Sequence, residues 1–332
     1  MMKRDGLMNP EQRYERHKMA VERYLRSFVT EHKPQTLYHP AKYVLAAGGK
    51  RIRPVITLLA CEAVGGEANS ALHAGAGIEI LHNFTLVHDD IMDHAETRRG
   101  RLTVHKKWDE NVALLSGDAL LAFAYRALLR TKSNRIQEIT KIFTEGVVTI
   151  CEGQALDKEF ETRHRVHVNE YLSMIEKKTG KLVSIAAQLG ALVGNASASD
   201  LDALRRYGEY VGRAFQLQDD LLDITANEKE FGKTIGGDLV EGKKTFLLLE
   251  ALRRSKGDQK KMLQRIFTHG GVPRKQVQAF RLIYEDTGAI SSAMKRIETD
   301  IAEAKNQLST LPATTARETL RWMADKLLNR KF

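Results

Sequence analysis

The sequence has only two cysteines, Cys61 and Cys151, far apart and without Cys-x-x-Cys or Cys/His spacing. A disulfide framework and a structural zinc site are therefore not expected, and both thiols read as small buried hydrophobes. Proline is scarce, with six in 332 residues, so few positions interrupt a helix. No long hydrophobic run occurs. Apolar stretches such as Ile185 to Val193 and Val112 to Leu115 stop well short of the roughly 18 residues a membrane span needs. The basic N-terminus is not followed by an apolar segment, so no secretory signal is expected, and the reading is a cytoplasmic protein. A basic tract interleaved with aromatics is also missing. The net charge of +10 therefore points to multiply anionic small substrates and not to nucleic acid.

With 42% hydrophobic and 28% charged residues, the composition is that of a globular chain with a large core. Leu, Ala, Glu, Lys and Arg are abundant, and alternating β-branched segments hardly appear, so an all-α fold without a sheet is expected. The predicted helices run from Pro10 to Val29, Pro40 to Ala47, Arg53 to Val64, Ser70 to Asp93, Asn111 to Leu129, Asn134 to Lys158, Val168 to Leu192 and Ala198 to Asp223. Five more follow, from Thr245 to Ser255, Gln259 to Phe267, Pro273 to Thr287, Ser291 to Leu308 and Thr315 to Leu328. Gly48 and Gly49 read as a helix stop, with Pro54 in the first turn of the next helix. Ser199 or Asp200 reads as the cap of the helix through Leu204, and Ser133 or Asn134 as that of the helix before Ile136. The helices around Ala71 to Val87 and Ile185 to Val193 are apolar on more than one face, which places them inside a bundle. No linker or composition shift divides the chain. The expectation is one large helical domain over residues 1–332, with residues 1–33 a peripheral N-terminal helix.

Two acidic clusters carry the chemistry. Asp89, Asp90 and Asp93 form Asp-Asp-Ile-Met-Asp near the end of one apolar helix, and Asp219, Asp220 and Asp223 form Asp-Asp-Leu-Leu-Asp near the end of another. Residues four apart share a helix face, so Asp89 pairs with Asp93, and Asp219 with Asp223. Helix C-termini disfavour anions, so carboxylates gathered there call for a cation. Magnesium suits them, because its hard-oxygen shell is completed by water and substrate phosphate. Basic residues follow the clusters or flank helix junctions: Lys50, Arg51 and Arg53; Arg98, Arg99 and Arg101; Lys177, Lys178 and Lys181; Lys233, Lys243 and Lys244. Such groups grip diphosphate, arginine in bidentate fashion and lysine as a compact charge. His82 sits in an apolar flank, where it serves either as a core histidine or as a ligand-binding one, and His88 reads as support for the turn at Asp89.

From about Pro34 to the C-terminus these residues resemble the trans-isoprenyl diphosphate synthases, the polyprenyl synthetase family. The matching stretches are Gly49 to Pro54, His82 to Asp93, Thr97 to Gly100, Gly117-Asp118, Gly153-Gln154, Lys178-Thr179-Gly180, Phe215 to Asp223, and Gly232-Lys233 through Gly237-Asp238 to Glu241-Gly242-Lys243-Lys244-Thr245. Lys244 stands where the family usually has proline. The resemblance implies the isoprenoid/terpenoid synthase fold, a helical bundle around a central cavity, as a homodimer. It also implies head-to-tail condensation of isopentenyl diphosphate with dimethylallyl, geranyl or farnesyl diphosphate. By the same resemblance Asp89, Asp93, Asp219 and Asp223 bind metal, roughly three magnesium ions per active site. Arg98, Lys178, Lys233 and Lys243 grip the allylic diphosphate, while Lys50, Arg53, His82 and Arg99 form the isopentenyl diphosphate pocket. Gln216 and Thr179 flank the reacting carbons, with the expected helix break at Thr179-Gly180. Phe84, a bulky residue five before Asp89, and the small Thr85 mark a short-chain enzyme. The favoured product is geranylgeranyl diphosphate, with farnesyl or longer polyprenyl diphosphates as alternatives. Terpene cyclases share the first motif but usually replace the second with an Asn/Ser/Glu arrangement, which this chain lacks.

Overall fold

Helix-forming residues punctuated by glycine produce helices almost end to end in the computed structural model, which describes residues 8–30, 33–226 and 235–328. In chain order these are α1 (Pro10–Phe28), α2 (Gln35–Leu45), α3 (Ile52–Ala63) and α4 (Leu72–Met92), then β1 (Thr97–Arg98) and β2 (Arg101–Leu102). They continue with α5 (Val104–Lys107), α6 (Glu110–Leu128), α7 (Ile136–Thr162), α8 (Val168–Ile175), α9 (Lys181–Val193) and α10 (Ala198–Thr225). The series ends with α11 (Gly237–Val240), α12 (Phe246–Arg254), α13 (Gly257–His269), α14 (Val277–Asp286), α15 (Ala289–Leu308) and α16 (Thr315–Leu328). A π-helical segment, Glu176–Gly180, joins α8 to α9, where the break at Thr179-Gly180 was expected.

Four expectations need correction. The second helix starts at Gln35 and carries Pro40 inside it, not at its start. Its first turn is closed by the amides of Leu37 and Tyr38 on Pro34 O, so the missing proline N–H costs one bond within an already formed helix. The cap of α10 is Ser197, whose Oγ accepts the Asp200 amide at 3.2 Å, and not Ser199 or Asp200. A two-stranded hairpin interrupts the all-helical pattern, with Arg99 (φ 53°) and Gly100 (φ 70°) as its central turn residues. Both φ values are positive, as a tight hairpin turn requires, and strands of two residues are too short to show a periodicity. Finally, Cys61 is buried but Cys151 is exposed.

The described residues fall into two compact units. The first draws on Met1–Thr144, Ile185–Arg205 and Thr310–Trp322. Here α4 is the core element: every residue from Ala74 to Leu81 is buried, and the helix packs along α6 and α3. Helix α1 lies on α3, with Arg13 and His17 both on Glu62 and Val21 fully buried. Buried Glu79 of α4 pairs with Arg51 at 2.5 Å, and Arg51 also donates to Leu45 O at 2.9 Å. That pair pins the glycine-rich turn between α2 and α3 against the central helix.

The second unit draws on Glu145–Ser184, Arg206–Ser309 and Met323–Phe332. Within it, Arg213 of α10 binds the nearly inaccessible Asp300 of α15 through two bonds of 2.8 and 2.5 Å. Helix α12 packs on α15, α13 and α8. Lys244, just before α12, is buried with its ammonium on the carbonyls of Phe160 and Glu161, so a cation closes the C-terminal turn of α7. Among the described residues, no helix is long and apolar enough to cross a membrane.

Candidate active site

In the first unit, α4 runs into its acidic cluster and stops there. Asp93 is the C-cap, its amide bonded to Asp89 O at 2.9 Å. The next two amides, His94 to Ile91 O at 3.2 Å and Ala95 to Asp90 O at 3.0 Å, complete a Schellman closure. His94 takes the left-handed position of that closure with φ 50°. The three aspartates divide into two kinds. Asp90 is buried and accepts Arg98 Nε at 2.6 Å, while Asp89 is half-buried and Asp93 exposed. Burial raises the Asp90 carboxyl, and the Arg98 guanidinium opposes that shift.

Four of the expected basic residues, Lys50, Arg53, Arg98 and Arg99, lie on the same unit. Arg99, in the hairpin turn, donates to Gly48 O at 2.5 Å, and so joins the hairpin to the glycine turn that carries Lys50 and Arg53. Lys50 is exposed, with its carbonyl accepting the Tyr14 hydroxyl, and Arg53 lies half-buried in the first turn of α3. His82 lies among these cations. Burial, then the charges of Arg53, Arg99, Arg98 and Arg51, hold its imidazole well below its usual range. It is therefore neutral, and offers a hydrogen bond instead of a charge.

Phe84 is buried, and its ring meets His88 edge-on at 4.8 Å between centroids. A side chain at Gly117 of α6 would stand 2.1 Å from His88 Nε2, so the glycine makes room for that imidazole. Thr85 donates to His82 O at 2.9 Å within α4.

The second unit repeats the division among aspartates. Asp220 is buried and doubly bonded, accepting the Tyr171 hydroxyl and Gln216 Nε2 (3.1 Å), while Asp219 and Asp223 are half-buried. Gln216 Oε1 in turn accepts Thr179 Oγ1 at 2.9 Å, so both expected polar flanking groups are in contact. Asp223 accepts the Gly237 and Asp238 amides at 3.2 and 3.1 Å, and its carboxylate thereby seats the first turn of α11. Lys178 lies 2.6 Å from Asp157, and Lys243 lies 2.9 Å from Glu241 and 3.5 Å from Asp238. Lys233 falls outside the described residues.

Three residues of this unit were missed in the sequence: Tyr171, Asp157 and Asp238. Asp238 lies inside a matching stretch, and its spacing of five from Lys243 is the one visible signal. Asp157 and Tyr171 give none, because their partners lie 21 and 49 positions away.

The π segment is held from both sides within this unit. An added Cβ at Gly153 of α7 would stand 2.4 Å from Lys178 N, and one at Gly212 of α10 would stand 2.5 Å from Gly180 Cα. Only glycine allows backbones this close, and the approach fixes Thr179 relative to Gln216.

Electrostatics favour a hard cation here. Burial pushes Asp220 up to about 8, with Asp238 the next cause, and burial takes Asp238 to about 6, with Asp223 adding to it. Asp223 is raised too, again chiefly by burial. Such mutual repulsion is relieved by positive charge, and every donor is a carboxylate oxygen. Among the described residues no three His, Cys, Asp or Glu side chains are grouped to hold a metal by themselves.

The polyprenyl synthetase family profile matches residues 34–285. A short chain isoprenyl diphosphate synthase from Methanothermobacter thermautotrophicus is 40% identical over 94% of this chain and 96% of its own length. A geranylgeranyl diphosphate synthase from Methanosarcina mazei is 38% identical over 90% and 91%. The crystal structure of a geranylgeranyl pyrophosphate synthetase from Pyrococcus horikoshii superposes with a TM-score of 0.91 at 35% identity, over 97% of this chain and 99% of that one.

Proposed function

We propose that this chain, which belongs to the polyprenyl synthetase family, condenses isopentenyl diphosphate with dimethylallyl, geranyl and farnesyl diphosphates to give geranylgeranyl diphosphate and free diphosphate. The observation that carries the reading is the repeated division of labour in the two motifs. In each, the middle aspartate is buried on side-chain donors, Asp90 on Arg98 and Asp220 on Tyr171 and Gln216, while the outer aspartates are half-buried or exposed.

Asp89 and Asp93, with Asp219 and Asp223, are the residues that would hold magnesium. Bound magnesium neutralises the allylic diphosphate and stabilises it as a leaving group. Arg98, Lys178, Lys233 and Lys243 add positive charge around the same group. Lys50, Arg53 and Arg99 receive the diphosphate of isopentenyl diphosphate, with neutral His82 as a hydrogen-bond donor.

Ionisation breaks the allylic C–O bond, and the electron pair leaves with diphosphate. The Thr179 and Gln216 oxygens face the positive charge that develops on carbon. The isopentenyl double bond then supplies the electrons of the new carbon–carbon bond, and the resulting cation loses a proton to the departed diphosphate.

Chain growth stops at C20 in this reading because the bulky Phe84, five residues before Asp89 and packed on His88, blocks further elongation, as the resemblance to short-chain synthases implies. The similarity to the geranylgeranyl diphosphate synthase of Methanosarcina mazei supports that length. The whole chain acts as one polyprenyl synthetase domain in the cytoplasm, as a homodimer. Leu114 and Leu115 of α6, 49% and 59% exposed, offer apolar surface for a second copy.

Incubation with labelled isopentenyl diphosphate and each allylic primer, followed by chain-length analysis, tests the reading. A C20 product is expected. A dominant C15 or longer product corrects the length, and a cyclic hydrocarbon or no condensation refutes the reaction.

A further inference from the structure

Four polar side chains of the second unit form an unbroken series that ends in the interior. Thr179 Oγ1 donates to Gln216 Oε1 at 2.9 Å, Gln216 Nε2 donates to Asp220 Oδ1 at 3.1 Å, and the Tyr171 hydroxyl donates to Asp220 Oδ2. Tyr171 and Asp220 are both buried. The direction of every bond follows from the chemistry of the groups. The amide end that meets Asp220 is the NH2 of Gln216, 3.1 Å from Oδ1. The carbonyl end of Gln216 is then left for Thr179, whose one proton must go to it. The lone pairs of the Thr179 oxygen therefore turn away from Gln216.

The backbone gives Thr179 little other freedom. An added Cβ at Gly153 of α7 or at Gly212 of α10 would stand 2.4 or 2.5 Å from the backbone of the π segment. What stays adjustable is the hydroxyl rotor and the amide that sets it. Tyr171 holds the far end of the series, occupying the one Asp220 oxygen that Gln216 does not use.

We infer that Tyr171 is a positioning residue for prenyl transfer: by fixing Asp220 it sets the Gln216 amide, and through it turns the Thr179 oxygen toward the allylic carbon. This rests on the reading above, in which Thr179 faces that carbon. Without the tyrosine hydroxyl, Asp220 is free to rotate and no longer fixes the Gln216 amide. The Thr179 hydroxyl, set by that amide, then loses its fixed direction at the developing cation, while the groups that grip diphosphate are unchanged.

The test is a double-mutant cycle of Tyr171→Phe and Thr179→Val, with kcat and both KM values measured for farnesyl and isopentenyl diphosphates and folding followed by circular dichroism. Tyr171→Phe is expected to lower kcat by about tenfold with both KM values within about twofold of wild type, and the double variant to be no slower than the slower single one. Losses that multiply, a change confined to KM, or an unchanged kcat overturn the assignment. A phenylalanine variant that does not fold is replaced in the cycle by 4-aminophenylalanine, which donates more weakly from the same ring position. Its kcat should then fall by roughly threefold at constant KM, and an unchanged kcat overturns the assignment. Wild-type protein with no turnover on these substrates would refute the prenyl-transfer reading and the assignment with it. Normal wild-type turnover with any of the overturning results removes Tyr171 alone.

Discussion

Replacing Gly212 by alanine should disable the chain without removing any charged group. The added Cβ would stand 2.5 Å from Gly180 Cα, where ordinary contact begins at 3.4 Å, so α10 and the π segment must open by about 0.9 Å, the difference between the two. Gln216 lies four residues along α10 on the same face as Gly212 and moves with it. If the whole opening falls on the 2.9 Å bond between Thr179 and Gln216, it stretches to about 3.8 Å, too long for a hydrogen bond. A misplacement near 1 Å at a reacting centre costs on the order of a hundredfold in rate. Overpacking costs about 1–3 kcal/mol, a fall in Tm of roughly 2–10 °C. Gly180→Ala is the control, because its Cβ would meet nothing nearer than 3.6 Å. Scintillation counting of labelled extractable product should show Gly212→Ala losing about a hundredfold in kcat and Gly180→Ala less than about threefold. A folded Gly212→Ala enzyme with wild-type kcat would refute the close-approach argument.

Other perturbations test other parts of the molecule. Phe84→Ala removes the ring that packs on His88 and should lengthen the product beyond C20; an unchanged length, read by chromatography of the dephosphorylated alcohols, rejects Phe84 as the ruler. Arg51→Met leaves Glu79 charged and buried and should cost about 3–5 kcal/mol in denaturant unfolding, with most of it restored in Arg51→Met/Glu79→Leu. A loss under about 1 kcal/mol would show that the pair does not hold the glycine turn. Without metal, Asp220 (about 8) and Asp238 (about 6) titrate above the unfolded carboxylate value of about 3.9. The folded state then binds more protons than the unfolded one, so their contribution to stability is complete below that unfolded value and is lost as pH rises through about 6 to 8. Tm in chelator should therefore fall over that window, and magnesium with pyrophosphate should flatten the profile. A chelated protein whose Tm is level or rising across it contradicts the carboxylate argument.

The helices and the acidic motifs were legible because their signals are local. Apolar stretches on several faces of α4 announced its burial, and Asp residues one and four apart fixed which carboxylates share a face. The glycine after Thr179 likewise marked the break that became the π segment. Hidden from the sequence was the role of the middle aspartates, since donors to them come from elsewhere: Arg98 from a two-residue strand, and Tyr171 from a helix 49 positions away. Lys178 and Lys244 looked equivalent as cations. One pairs with Asp157, while the other is buried on carbonyls at the end of α7. Charge alone does not separate a lysine that grips substrate from one that closes a helix.

The most direct test of the proposed mechanism is anomalous diffraction from crystals grown with manganese in place of magnesium and with inorganic pyrophosphate. Metal peaks are expected on Asp89 and Asp93 and also on Asp219 and Asp223, bridged by the same pyrophosphate. Peaks on one pair only, or two pairs opening onto separate surfaces with no shared anion, would contradict it.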